Sequence, residues 1–460
     1  MRDVNVNTLR FSVSPSRPYS GIDTMPAISR YPRGLRLAFA GIFAWALGAA
    51  GAALAQSPGD ESSPPSEHDP IRLGIIAVEG SAAAAQIIGA DLASTALFEI
   101  STIKQSIDDE RGTVDSLRST GLDYVLLLEA QPDANSESRL WELRKPFKLA
   151  HFRLAGTAKP RLHAHQIADT VFQKLTGRRS GFDTRLATVL KLDDGQHILK
   201  VADADGANPI NILTSLERVG APSWSADSQL IAFVSWETYS PQLFVQDLAS
   251  GQRQPVLTTI DTQPAFPMFL AEQTLVWAEI GAASTQVRMA VKGRLQQPAL
   301  LGELASPPIA LLKKPGENLV WAVCEKGIWS MDPLNRDAPP VQIHLATGRL
   351  IAAATCEAER LLLLQEINAE GNFNSQFAAT AHGLRLSREL LPRQADIAGN
   401  PAFNAACTGL LLPVRDAQGT KLLGISADGS VRHEIKSAAA SIIAAAYSPH
   451  RVQASSVGGK

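Results

Sequence analysis

The sequence predicts an α/β N-terminal domain followed by an all-β six-bladed propeller, and three observations support this fold class. First, the pattern at Val201–Thr214 recurs 44 residues later at Val245–Thr258. Second, Phe233, Trp277 and Trp321 stand at the same interval of 44 residues in apolar segments. Third, residues up to 181 alternate strand and helix patterns, whereas those from 184 onward form only short strand patterns. A repeat of about 40–50 residues made of short strands is typical of one propeller blade.

The first 55 residues have the three parts of a secretory signal peptide. Three arginines precede an apolar run at residues 37–54, and residues 53–55 (ALA) form a small-residue cleavage signal. We therefore expect residues 1–55 to be removed by cleavage after Ala55, with Met25 as an alternative start, and the product to be periplasmic. A single membrane anchor is the alternative, but the run is close to the lower length limit for a span.

Residues 56–70 (QSPGDESSPPSEHDP) are rich in proline, serine and acids. Such a segment has too little apolar area to form a core, so we expect a flexible N-terminal tail. The tail is either a plain spacer or a segment that binds a partner. Residues 450–460 are expected to form a flexible C-terminal tail.

Residues 71–181 are predicted to form the α/β domain, with one sheet covered by two helices. The second helix is the clearest, because apolar residues follow the helical period and Gly177 stands where the helix would stop. The predicted elements are, in order, a strand at Ile71–Val78, a helix at Ala82–Phe98, a strand at Asp123–Leu128, antiparallel strands at Leu140–Leu143 and Phe152–Ala155, and a helix at His163–Leu175.

Residues 184–449 are predicted to form the propeller. Six inner strands are expected to begin 42 to 48 residues apart, near Pro222, Pro264, Pro308, Ala353, Pro401 and Ala445. The segment Thr184–Thr214 supplies outer strands without an inner one, and Ala438–Pro449 supplies an inner strand without outer ones. The simplest closure places both segments in one blade, which would remove the open sheet edges.

Composition excludes several function classes. The 460 residues are 45% hydrophobic and 19% charged, as in globular proteins. The net charge is −2, and since residues 1–55 carry six arginines against two aspartates, the remainder carries −6 and has no basic footprint for nucleic acid. The chain contains no G-x-S-x-G, H-E-x-x-H or phosphate-loop motif, so we predict no enzyme, no catalytic residue, no cofactor and no metal site.

The remaining chemically capable side chains also have simpler interpretations. Cys324, Cys356 and Cys407 are odd in number and lack CxxC spacing, which favours buried core thiols over a zinc site or a disulfide framework. His163 and His165 are two apart on a helix, so they point to different faces, cannot share a metal and are expected to be solvated. The four tryptophans on predicted strands are expected to pack in the core: Trp224, Trp277, Trp321 and Trp329.

The segment Asp203–Gly206 (DADG) resembles part of a calcium loop, but the further ligands of that motif are missing. Its repeat partner, Asp247–Gly251, is an ordinary turn. A blade hairpin turn is therefore the favoured interpretation.

Five segments resemble the TolB family, the periplasmic propellers of the Tol-Pal system. Lys159–Gly177 (KPRLHAHQIADTVFQKLTG) is similar to the family helix H-x-I-A-D-x-x-F-x-K-L-T-G, and Gly181–Val189 is similar to the G-x-F-x-T-R-I-A-Y-V that follows it. Asp203–Asn208 resembles D-x-D-G-x-N, and Pro222–Ser228 resembles P-x-W-S-P-D-G. Ala445–Pro449 resembles the closing P-A-W-S-P. The resemblance is weak over 71–158 and 271–438, and the P-D-G turn is lost in every blade.

The resemblance implies a monomeric periplasmic adaptor that does not span a membrane after signal cleavage. It would bridge the C-terminal domain of TolA, in the inner-membrane complex, to the peptidoglycan-associated lipoprotein Pal, and so support outer-membrane integrity and constriction during cell division. Pal would dock on loops that lead into the inner strands: Arg218, Val219, Asp261, Thr262, Gln263, Ser306 and Asn400. TolA would bind the mature tail: Gln56, Ser57, Asp60 and Glu61. Ordinary turn chemistry is the alternative for each loop residue.

The second function hypothesis is a propeller that binds a small ligand or metal as a lyase- or lactonase-like enzyme. Such a site would need acidic or histidine ligands on several inner strands. The predicted inner strands at Pro222–Ser225 and Pro264–Phe266 contain none, which favours the adaptor.

Overall fold

A computed structural model describes residues 70–449, with gaps at 79, 96, 105–108, 130–135, 145–146, 155–159, 239, 272, 347, 357–359, 367–372, 378–395, 427–431 and 436–439. The predicted signal peptide, the C-terminal tail and the N-terminal tail before Pro70 lie outside the described residues. Within the described part of the chain, no helix combines the length and apolarity that crossing a membrane would require.

The N-terminal part of the described chain folds around a five-stranded sheet with the strand order β2-β1-β3-β4-β5. Strand β1 pairs in parallel with β2 and β3, and β3, β4 and β5 pair antiparallel. The elements are β1 (Ile71–Ala77), α1 (Ala82–Ala93), β2 (Phe98–Ile103), α2 (Glu110–Ser116), a 3-10 turn (Leu117–Ser119), β3 (Tyr124–Glu129), β4 (Ser136–Glu142), β5 (Phe147–Leu154) and α3 (Pro160–Thr176). The predicted strands and the second helix are recovered to within a few residues, except that β4 and β5 begin four and five residues earlier.

The predicted helix at Ala82–Phe98 is wrong at its C-terminal end. The helix stops at Ala93, where the Ser94 and Thr95 hydroxyls donate to carbonyls of the last turn at 2.6 and 2.7 Å. Phe98 instead begins β2, which pairs with β1. Helical spacing of apolar residues continued by chance into a buried strand, and periodicity alone does not separate the two over a few residues.

The larger of the two hydrophobic clusters of this domain lies between the sheet and the α1–α3 layer. Leu73, Ile75 and Leu126 from the strands contact Ile88 of α1 and Phe172 of α3, and all five are fully buried. Burying a large apolar side chain contributes about 1.5–3 kcal/mol. The amphipathic pattern of α3 therefore fixes the helix against the sheet.

The rest of the described chain forms six antiparallel sheets. Five are built from consecutive strands, and their bounds are β9 (Ser223–Trp224), β10 (Leu230–Ser235), β11 (Gln242–Asp247), β12 (Arg253–Pro255); β13 (Gln263–Ala271), β14 (Thr274–Ile280), β15 (Thr285–Val291), β16 (Ala299–Leu304); β17 (Pro308–Lys313), β18 (Val320–Cys324), β19 (Gly327–Met331), β20 (Val341–Leu345); β21 (Arg349–Cys356), β22 (Arg360–Glu366), β23 (Phe373–Phe377); β24 (Asp396–Ile397), β25 (Ala402–Phe403), β26 (Gly409–Asp416), β27 (Gly419–Ser426), β28 (Arg432–Ile435).

The remaining sheet is composite. It has the order β29-β6-β7-β8 and joins β29 (Ala440–Tyr447) to β6 (Arg185–Leu192), β7 (His197–Asp203) and β8 (Ile210–Ser215). The predicted sharing of one sheet by the two chain ends is confirmed, and so is the β-propeller. The predicted number of six blades is wrong, however: five blades come from single stretches of chain, and one of these has only three strands among the described residues.

The propeller core lies between neighbouring sheets. Trp277 of β14 is fully buried and packs with Leu230 and Val245 of the preceding sheet. Trp224 is 5% exposed, so core packing is confirmed for these two tryptophans. Trp321 and Trp329 are only partly buried at the edges of other core clusters.

The prediction for the cysteines is wrong for two of the three. Cys356 at the end of β21 and Cys407 between β25 and β26 form a disulfide with a Cα–Cα distance of 6.0 Å. Cys324 is a buried free thiol, as predicted. Pairing depends on the approach of two sheets whose cysteines are 51 residues apart, and no local pattern encodes that approach.

Candidate functional site

Strand direction places the predicted docking loops at the propeller end opposite to the α/β domain. Strand β6 begins at Arg185, next to the linker from the α/β domain, and runs away from it. Strand β7 returns, and β8 runs away again to Ser215. Residues 216–222, which lead into β9, therefore lie at the far end. The loops before β13 and β17 lie at that same end. Residues 398–401, which lead into β25, interrupt the inner strand of their sheet, because β24 and β25 both pair with β26. We call the three loops and this segment the inner-loop face.

The first loop of the inner-loop face carries an exposed cation stacked on an aromatic ring. The Arg218 guanidinium lies 4.9 Å from the centre of the Trp236 ring. The backbone N–H of Trp236 also donates to the Arg218 carbonyl at 3.0 Å. Val219 is 1% exposed and forms a β-bridge with Ser235. Val219 thus anchors the loop and does not present its own side chain, whereas Arg218 is held in place and open to a partner.

The second loop of this face has a preformed tip. Asp261 is exposed and has a φ of 62°, which is unusual for a residue other than glycine. The Thr262 hydroxyl donates to the Thr259 carbonyl at 2.7 Å, and Gln263 begins β13 with its side chain exposed. Ile260, which the sequence analysis did not select, is 86% exposed beside them. Ile260 and Asp261 therefore present an exposed apolar side chain and an exposed carboxylate side by side on this face.

The third loop and the segment before β25 contribute less side-chain surface. Ser306 is exposed, and its carbonyl lies 3.6 Å from the Cys324 thiol sulfur. Asn400 accepts from the Ala353 N–H at 3.0 Å and donates to the Ile309 carbonyl at 2.8 Å. Asn400 therefore ties the segment before β25 to two neighbouring sheets, which is a structural role.

A buried acid near the second loop was also missed by the sequence analysis. Glu279 is 1% exposed, accepts from the Trp277 indole N–H at 3.0 Å and lies 2.9 Å from the Arg288 guanidinium. Its backbone pairs with Pro264 of the inner strand β13. A buried carboxylate needs such partners, so this group fixes the strand end below the loop.

The predicted TolA-binding residues Gln56, Ser57, Asp60 and Glu61 lie outside the described residues. Their role stays a prediction.

The second cluster of polar groups lies where α3 meets the propeller. His165 is 1% exposed, so the prediction that it is solvated is wrong. Its Nδ1 atom lies 2.6 Å from the Asp91 carboxylate of α1, and its Nε2 atom lies 3.8 Å from Asp205 in the turn between β7 and β8. Arg161, one turn earlier on α3, forms an ion pair with Asp205 and has its Nε atom 3.5 Å from Asp203. His163 is only half-buried.

Burial and pairing oppose each other in this cluster. Burial raises the pKa of Asp91 to about 6, and the hydrogen bond with His165 offsets part of that increase. Burial by itself would lower the pKa of His165, but the Asp91 hydrogen bond and charge raise it overall. The pair is therefore strongly coupled.

Asp169 joins α3 to the linker that leads into the propeller. This fully buried carboxylate accepts hydrogen bonds from the Gly181, Phe182 and Asp183 N–H groups at 2.9, 3.1 and 3.2 Å, and from the Ser180 hydroxyl. Gly181 has a φ of +82°, and a side chain there would approach Ala405 to 3.0 Å. Asp169 of the family-like helix motif and Gly181 of the next motif therefore act together to fix the linker.

The fold is a β-propeller with an appended α/β domain. Residues 172–273 match the model of the TolB beta propeller domain. The Tol-Pal system protein TolB of Azoarcus sp. (strain BH72) is 39% identical over 177 residues, 37% of this chain and 41% of the relative. That of Bordetella parapertussis (strain 12822 / ATCC BAA-587 / NCTC 13253) is 35% identical over 235 residues, 49% of this chain and 52% of the relative. The resemblance to TolB is confirmed.

The chain spans about half the length of the curated relatives it matches. The crystal structure of TolB from Acinetobacter baumannii superposes with a TM-score of 0.69 and 18% identity, covering 83% of this chain and 98% of that chain. At this identity the superposition shows a shared fold.

Proposed function

We propose that this protein is a non-enzymatic periplasmic adaptor of the Tol-Pal system. The observation that carries the proposal is the TolB likeness of the propeller, together with a rigid inner-loop face that presents Arg218, Ile260 and Asp261. Propeller loops held by strands are well suited to binding residues because the scaffold fixes their position.

Pal is the proposed partner at the inner-loop face. Arg218 and Asp261 would supply fixed charges, and Ile260 would supply apolar contact beside Asp261. Thr262, Gln263 and Ser306 would form the rim, while Val219 and Asn400 support the loops from below. Binding would in turn support outer-membrane integrity and constriction during division.

Titration calorimetry with the organism's own Pal tests this arrangement. The Arg218→Glu variant is expected to bind about 10-fold more weakly, because it reverses an exposed charge on this face. The matched control is Arg294→Glu, which reverses another exposed arginine at the opposite propeller end. Equal affinity of the two variants would contradict docking at this face.

The tail is the proposed TolA site. Alanine replacement of Gln56, Ser57, Asp60 and Glu61 should remove binding of the TolA C-terminal domain and leave Pal binding intact. TolA binding that survives these replacements would move the site elsewhere.

The lyase- or lactonase-like alternative has less support. Among the described residues, the cluster able to hold a metal ion is His165 with Asp203 and Asp205. These residues lie on α3, at the end of β7 and in the turn from β7 to β8, the two outermost strands of the composite sheet, away from the inner strands that line a propeller channel.

A further inference from the structure

Three ligand-type side chains meet at the domain junction. His165 comes from α3, Asp203 is the last residue of β7, and Asp205 lies in the turn from β7 to β8. One potential ligand atom from each lies within 4.8 Å of the others. Carboxylates alone would not indicate a site, because acidic turns are common on protein surfaces. The state of His165 is the observation that points to a ligand.

The Nε2 atom of His165 is buried and has no hydrogen-bond partner. The Nδ1 atom of the same ring is occupied by Asp91 at 2.6 Å. When Nδ1–H donates to Asp91, Nε2 keeps a lone pair, and that lone pair faces carboxylates that have no hydrogen to donate. A buried acceptor that faces other acceptors is unfavourable, and either a proton on Nε2 or a cation between the groups would relieve it.

The Asp91–His165 pair has the arrangement that supports metal-binding histidines. A carboxylate on one ring nitrogen fixes the tautomer and the ring orientation and makes the other nitrogen a better ligand. The carboxylates opposite are also fixed, because Asp203 accepts from the Asn208 side chain at 2.8 Å and Asp205 accepts from the Ala207 N–H at 3.0 Å.

The distance between His165 and Asp205 fits a bridging metal ion better than a hydrogen bond. The distance of 3.8 Å from His165 Nε2 to Asp205 Oδ2 is too long for a hydrogen bond. Two ligand atoms about 2.1 Å from a tetrahedral zinc ion are roughly 3.4 Å apart, so a small closure would place both at bonding distance.

The Arg161 guanidinium supplies the positive charge that faces the two carboxylates. It pairs with Asp205 and lies 3.5 Å from Asp203. The Arg161 side chain is 33% exposed, so it can turn into solvent when another cation arrives.

We propose that His165, Asp203 and Asp205 bind one divalent transition-metal ion, best Zn²⁺, in competition with the Arg161 guanidinium. The imidazole nitrogen favours Zn²⁺ over Mg²⁺ and Ca²⁺, which prefer oxygen ligands. Asp205 is 35% exposed, which leaves room for water at a further coordination position. The ion would link α3 to the propeller. This proposal is independent of the adaptor function.

The test is calorimetric titration of the tag-free, chelator-treated chain with Zn²⁺, and with Mg²⁺ for comparison. One Zn²⁺ per chain is expected, with no comparable Mg²⁺ binding. His165→Ala and Asp205→Asn should each weaken Zn²⁺ binding by about 10-fold or more, and Asp91→Asn by about 10- to 100-fold. Arg161→Gln should tighten binding. His344→Ala, which alters an exposed histidine on β20, is the matched control and should have no effect.

Circular dichroism of each metal-free variant separates loss of the site from loss of the fold. His165→Ala leaves the buried Asp91 carboxylate without its partner and could destabilise the fold. Asp205→Asn changes a more exposed residue, so it tests the site without this complication. The visible spectrum of the Co²⁺ form should change in Asp205→Asn. The proposal would be overturned if neither His165→Ala nor Asp205→Asn changed the Zn²⁺ affinity, or if the native chain did not bind Zn²⁺. Binding seen only in Arg161→Gln would assign the site to the guanidinium and would overturn it as well.

Discussion

The disulfide between Cys356 and Cys407 gives the most quantitative prediction. The bond closes a loop with a sequence separation of 51 residues and links the inner-strand regions of two neighbouring sheets. In the chain-entropy description, a loop of this length removes about 14 cal/mol/K of unfolded-state entropy, or about 4 kcal/mol at 25 °C. We therefore expect the C356A/C407A double variant to lose about 4 kcal/mol of unfolding free energy from the propeller transition.

The assay is chemical denaturation followed by tryptophan fluorescence, with and without a thiol reductant. The native chain in reductant should unfold at the same denaturant concentration as the double variant, because both lack the same bond. The double variant itself should not respond to reductant. Cys324→Ala is the control, since its thiol is free and its unfolding should keep the native response to reductant.

A direct count of thiols completes the test. The denatured, unreduced native chain should react with one equivalent of thiol reagent, which is Cys324. Three reactive thiols, or a native denaturation midpoint that is indifferent to reductant, would refute the reasoning. Formation of the bond also suits the proposed periplasmic location, because disulfides persist in oxidising compartments.

Three further predictions concern buried and charged groups. Trp277→Ala should lower the free energy of unfolding, measured by denaturant titration, by about 3–5 kcal/mol, because it opens a cavity in the core between two sheets. A loss below about 1 kcal/mol would contradict that packing. Asp169→Ala should lower the free energy of unfolding by about 3 kcal/mol or more, because it leaves several buried N–H donors without an acceptor. Asp169→Asn keeps an acceptor oxygen and should lower it less. The same loss in both variants would contradict the hydrogen-bond account. Although burial opposes it, hydrogen bonds from Arg72 and Arg144 lower the pKa of Asp123. The stabilisation by Asp123, about 1 kcal/mol or less, should be complete above its unfolded pKa near 4 and disappear as pH falls below that value. Unfolding of native and Asp123→Asn chains from pH 7 to pH 3 checks it, and a constant difference would contradict the shift.

The propeller could be predicted from local patterns because each blade repeats them. The interval of 44 residues between Phe233 and Trp277 reflects equivalent middle strands, β10 and β14. The inner strands begin within about five residues of the predicted positions, because a short apolar strand after a turn is a local signal. The helix at α3 was predictable for the same reason.

The candidate site was predictable only in part. Arg218 and Asp261 were selected because loops before inner strands converge at one end, and both are exposed there. Ile260 was missed, since an isolated exposed isoleucine has no pattern that separates it from a core residue. Val219 and Asn400 were selected for their loop position, and only their contacts show that they support the loops.

By itself, the sequence determined the repeating strands, the amphipathic face of α3 and the TolB-like motifs, all of which depend on neighbours within a few residues. Tertiary structure alone decided that Cys356 meets Cys407 and that His165 is buried against Asp91 and Asp205. Helical spacing shows which residues share a face, but not which distant element covers that face. Contacts between residues tens of positions apart arise from how sheets and helices pack, and packing is a property of the whole chain.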